Sequence, residues 1–157
     1  FIPQKKMTVP NKTGVMERRP KRSLLVKLTP HPGPFRSSLG ERGEIAACGF
    51  LKEHGYEILE RNYKCKLGEI DVIARRRGRL AFVEIKTRTS TQFGMPQEAV
   101  NPKKQEKIFK VAQWYMKEKK RVKTPVAFDV VAVLWRKGQT PEIRLIADAF
   151  EKEDKLY

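Results

Sequence analysis

Apolar and polar residues alternate most regularly in residues 68–88, GEIDVIARRRGRLAFVEIKTR. The alternation runs on both sides of Arg76-Arg77-Gly78-Arg79, which predicts two strands joined by a tight basic turn. With Arg77-Gly78 at the turn centre, antiparallel pairing joins positions whose numbers sum to 155. Ile70 then faces Ile85, Val72 faces Val83 and Ala74 faces Ala81, giving one wholly apolar face that a one-residue slip would destroy.

The rest of the chain supplies the neighbours of this hairpin. Ser38-Leu39-Gly40-Glu41 matches a capping box, so a helix should start there and run to about His54, with Gly55 as its C-cap. Tyr56 to Cys65 reads as the strand before the hairpin. After Arg88, TSTQFGMPQEAVNP reads as a loop that ends at Asn101 and Pro102, the cap and first position of a second helix. Ile108, Ala112, Tyr115 and Met116 form that helix's apolar stripe. Pro125 to Trp135 has the β-branched run of a strand buried on both faces, and Glu142 to Ile146 makes an edge strand before a polar, fraying end. The expected order is therefore α-β-β-β-α-β-β, an α/β core with a mixed sheet flanked by helices and no internal repeat.

A length of 157 residues suits one domain, expected over 40–157. Residues 1–39 differ: they hold six of the ten prolines and nine Lys or Arg against the single acid Glu17. This basic stretch is expected to be a disordered tail. It serves either as an arm on nucleic acid or as a linker or upstream sequence ahead of a start at Met7 or Met16. The formal charge of +16 favours a polyanionic partner, nucleic acid first. Cys48 and Cys65 lack metal-site spacing and read as free thiols. No apolar run approaches the roughly eighteen residues of a membrane span, so no membrane partner is expected and a cytosolic location is the default.

The same hairpin register sets Asp71 opposite Glu84 and Glu69 opposite Lys86, with Lys86 on the face of Glu84. Directly opposed carboxylates, with Cβ atoms roughly 5 Å apart, are unfavourable by a few tenths to about 1 kcal/mol and by more when buried. A divalent cation would remove that cost, and hard oxygen donors suit Mg²⁺ or Mn²⁺. The alternative is a solvated face with a cross-strand ion pair. Glu44 shares a helix face with Ala47, Cys48 and Leu51, so its carboxylate points inward, toward this cluster or toward an Arg such as Arg61 or Arg88. Asp129, inside the buried strand, must be paired and is expected to anchor a nearby Lys or Arg. Arg75, Arg76, Arg77, Arg79 and Arg88, with Lys103, Lys104, Lys107 and Lys110, are candidate phosphate contacts.

Asp71 followed by Glu84-Ile85-Lys86 resembles the D…ExK signature of restriction-endonuclease-like nucleases. GERGEIAACGFLKEHGYEILERNY, GEIDVIA and FVEIKTR, in that order, resemble the YraN family of small bacterial proteins, which is related to archaeal Holliday junction resolvases. The resemblance covers about Leu39 to Ala147. It implies an endonuclease-like fold and metal-dependent hydrolysis of DNA, with selectivity for branched structures in repair or recombination. By the same resemblance Asp71, Glu84, the Ile85 carbonyl and Glu44 would hold Mg²⁺, and Lys86 would orient a water or offset charge on the phosphate. Glu69 is an alternative ligand, and Arg88 and Asp129 would stand beside the site. Some of these nucleases carry QxxxY on the second helix. Here Gln105 is followed by Phe109, and Gln105 either orients a water or bonds to backbone at the core edge. Resolvase-like action further implies a homodimer. A non-catalytic nucleic-acid-binding accessory on the same fold is the rival reading, and RNA is an alternative polyanion.

Overall fold

The computed structural model describes residues 23–27, 37–92 and 94–152. Its strands are β1 (Ser23–Lys27), β2 (Glu57–Cys65), β3 (Gly68–Arg76), β4 (Arg79–Arg88), β5 (Val126–Leu134) and β6 (Glu142–Ile146). Two helices, α1 (Leu39–Glu53) and α2 (Pro102–Glu118), and a 3-10 turn at Pro96–Ala99 complete the order. The six strands form one sheet in the order β1-β6-β5-β4-β3-β2. β4 and β5 are parallel, which is why α2 must cross between them; every other pair is antiparallel.

The expected element order is present, with one addition. Within the stretch assigned to a tail, Ser23–Lys27 pairs antiparallel with β6 and so covers the edge that β6 was expected to form. The remainder of residues 1–36 and the last five residues lie outside the described residues. Ser38 caps α1 through a reciprocal capping box with Glu41. His54, not Gly55, is the C-cap; Gly55 follows it at φ 81°. Asn101 caps α2 with Pro102 behind it, as the sequence predicts.

The sheet buries both faces. On one, α1 packs Ala47, Phe50 and Leu51 against Val72, Val83, Ile85 and Val131. On the other, α2 packs Ile108, Phe109 and Ala112 against Ile73, Phe82, Phe128 and Val130. Even-numbered positions of β4, β5 and β6 therefore face α2 and odd-numbered ones face α1. Gly43 brings α1 down directly on Thr87: a Cβ at that position would collide with the threonine side chain. Among the described residues no helix is long and apolar enough to cross a membrane, and Cys48 and Cys65 are both free.

Candidate active site

The hairpin register follows the predicted sum from Arg76↔Arg79 to Val72↔Val83. Arg77 and Gly78 both take positive φ, 50° and 75°, the type I′ geometry that matches the twist of the flanking strands. The paired ladder then stops, one step short of Asp71 and Glu84. The Ile85 N–H, which a continued ladder would join to the β3 backbone, instead donates to Asp71 Oδ2 at 2.7 Å. The carboxylate thus takes a backbone place between the strands. This also corrects the expected partnership of Ile70 with Ile85, since Ile70 packs on the α2 side and Ile85 on the α1 side.

Glu84 is 2% exposed and faces α2. Its Oε1 lies 2.7 Å from Lys86 Nζ and 3.1 Å from Lys104 Nζ. Its Oε2 is buried with no hydrogen-bond partner among the described residues. Asp71 is pushed up to about 6, first by desolvation and then by the charge of Glu84; the Ile85 amide and Lys86 oppose the shift, and Glu44 adds to it. Two carboxylates and two ammonium groups therefore meet where β3 separates from β4.

Lys104, a candidate phosphate contact by sequence, is set apart from the other lysines of α2 by its position. It lies four and eight residues before the buried Ile108 and Ala112, so its side chain turns inward to Glu84. Lys103 and Lys107 remain exposed on the same helix, and exposed Lys110 pairs loosely with Glu106 at 3.8 Å.

The other candidates divide. Glu44 is half-buried on the first turns of α1 and is felt by Asp71 as charge. Among the described residues no three His, Cys, Asp or Glu side chains already converge as a metal cage. Glu69 is exposed and pairs loosely with Lys64 at 3.8 Å. Gln105 Nε2 donates to the Val100 carbonyl at 3.1 Å, the backbone alternative, and Phe109 packs edge-on against Phe128 in the core. Arg88 is exposed and donates to the Thr87 carbonyl.

The turn arginines are largely committed to the fold. Arg75 pairs with Glu57 at 2.6 Å and Arg79 with Asp148 at 2.7 Å, while Arg76 lies over the Tyr56 ring. That leaves Arg77 exposed, six residues beyond Asp71, or about 20 Å of strand. Asp129 is buried on the α1 side and anchors structure, although not by the direct ion pair expected. Its oxygens accept from Tyr56 Oη and from the Asp148 amide, both at 2.8 Å. Burial pushes its carboxyl up, with those two hydrogen bonds opposing.

The model of the uncharacterised protein family UPF0102 matches residues 43–133, a span that includes Glu44, the hairpin, α2 and most of β5. The chain belongs to the UPF0102 family. A UPF0102 protein of Geotalea daltonii is 50% identical over 114 residues, covering 73% of this chain and 90% of the relative. One from Caldicellulosiruptor saccharolyticus is 44% identical over 116 residues, covering 73% and 98%. UPF0102 is the YraN-like, restriction-endonuclease-like group to which the motifs pointed. The match ends before β6, so Glu142 and Arg144 lie beyond it.

Proposed function

We propose that this UPF0102 protein is a metal-dependent DNA endonuclease with its centre at Asp71 and Glu84. The observation that carries the reading is the buried Oε2 of Glu84, unpartnered among the described residues, near a second carboxylate that burial and Glu84 push up to about 6. A buried acceptor without a donor is unfavourable by about 1–3 kcal/mol and calls for an explanation. A hard divalent cation explains both groups, because it binds carboxylate oxygens and favours their charged forms. Glu84 Oε2 and Asp71 would hold it, with the Ile85 carbonyl and Glu44 as further oxygens. Bound Mg²⁺ or Mn²⁺ would polarise the scissile phosphate and lower the pKa of a water.

The chain's own residues do the rest. The Ile85 amide fixes Asp71 Oδ2, so that the carboxylate cannot rotate away. Lys86 and Lys104 neutralise Glu84 and are the donors closest to a phosphate entering beside it. Exposed Lys103 and Lys107 add backbone-phosphate affinity without reading sequence. Cutting a branched structure symmetrically would need two such sites and hence a homodimer.

A second reading has its own support: two lysines already neutralise Glu84, so a binding module needs no metal. End-labelled junction, flap, duplex and single-stranded DNA, incubated in Mg²⁺, Mn²⁺ or EDTA, separate the two. The nuclease predicts metal-dependent cutting that Asp71→Asn abolishes while affinity in EDTA is kept. Cutting that survives Asp71→Asn would refute the site, and binding without cutting in every condition would favour the module.

A further inference from the structure

The face that carries Glu84 and Lys86 continues across the sheet. Lys86 pairs with Ala132 of β5, and Ala132 pairs with Arg144 of β6. Arg144 is thus in one row with Lys86, two strand spacings or about 10 Å away, with only a methyl group between them. Met95, Pro96 and Gln97 close over this row and leave a recess against Ala132 and Arg144.

Two groups in that recess lack partners among the described residues. Arg144 is half-buried and makes no ion pair or side-chain hydrogen bond among the described residues. Glu142, the acid two residues away on the same face, is taken by Arg136 at 2.8 Å. Gln97 Oε1 is buried without a hydrogen-bond partner among the described residues. A half-buried guanidinium with no acceptor is unfavourable, and its planar fork of donors fits a phosphate bidentately. The recess, about 30 Å³, has room for a water and none for a base.

We propose that Arg144 holds a nucleic-acid backbone phosphate neighbouring the one at Glu84 and Lys86, with Gln97 Oε1 accepting from a water on that phosphate. Lys86 and Arg144, two strand spacings apart on one face, then hold neighbouring phosphates and fix which one reaches the carboxylates. This deepens the nuclease reading and rests on its nucleic-acid partner.

The test is anisotropy of labelled DNA in EDTA across a salt series, for the full chain and for Arg144→Met, which keeps an apolar stem. Arg144→Met should bind several-fold more weakly on every DNA sequence, and its slope of log affinity against log salt should be shallower by about 1. Arg144→Gln carries the same expectation should the methionine variant fail to fold. Unchanged affinity and slope overturn the proposal, as does weaker binding at an unchanged slope, which would mean a structural effect. Because no metal is present, failure of the unaltered protein to cleave DNA leaves this test intact. If the unaltered protein binds no DNA, the proposal falls.

Discussion

Asp71→Asn should make the protein more stable as it removes activity, and the gain should depend on pH in one direction. Asp71 rises from an ordinary 3.8 to about 6 because burial and Glu84 disfavour its charge. Between those values the folded state keeps a proton that the unfolded chain has released, so folding stability falls as pH rises through the window. A shift of about two units corresponds to about 3 kcal/mol, of which about 2 kcal/mol develops between roughly pH 4 and pH 7.5. Asparagine cannot titrate, yet its Oδ1 can still accept from the Ile85 amide. The stability of Asp71→Asn minus that of the unaltered protein should therefore grow by about 2 kcal/mol over that range and level off above it. The fixed difference between the two side chains cancels in the comparison. Urea unfolding at the two pH values, without divalent ions, measures it. Millimolar Mn²⁺ should then stabilise the unaltered protein and leave the variant unmoved. A difference that is flat with pH, or that shrinks as pH rises, refutes the placement of Asp71 beside Glu84 in a poorly solvated gap.

Two further substitutions test the frame around the site. Gly43→Ala should lower stability by about 1–3 kcal/mol in thermal unfolding, because the added Cβ meets Thr87 and outweighs a better helix propensity of about 1 kcal/mol; equal stability would mean α1 does not lie on β4 as described. Tyr56→Phe should lose about 1–2 kcal/mol by stripping a hydrogen bond from buried Asp129 while leaving DNA affinity unchanged, and a matching loss of affinity would tie Asp129 to the partner surface.

The sequence carried the hairpin well because alternation and turn chemistry agree there: Arg77-Gly78 admits the positive φ values, and only one register buries Val72 with Val83 and Ala74 with Ala81. The same reasoning over-extended that register by assuming that the backbone ladder continues through Asp71. A side chain that displaces a ladder bond leaves no mark in a binary pattern. Lys104 had a legible signal, its helical spacing to Ile108 and Ala112, hidden because it sits in a run of lysines that looks alike by composition. Ser23–Lys27, SLLVK, was masked in the same way by the basic, proline-rich residues around it. Gly43 had no signal of its own, since its role is set by Thr87, some forty residues away in sequence.

Glu84 and Asp129 give the firmest argument for function, because they pose one physical problem and receive different answers. Each is 2% exposed, and they lie on neighbouring strands with their side chains on opposite faces of the sheet. Asp129 is satisfied as a structural acid should be: one oxygen takes the Tyr56 hydroxyl and the other the Asp148 amide, and Arg79 stands near enough to contribute its charge. Glu84 has two cations crowded on one oxygen, nothing on the other, and a second carboxylate drawn in beside it through the Ile85 amide. Selection for stability alone would favour the first arrangement at both places, since leaving a buried acceptor open and bringing like charges together both reduce stability. The second arrangement makes sense where the open oxygen is kept for something that arrives from outside the chain.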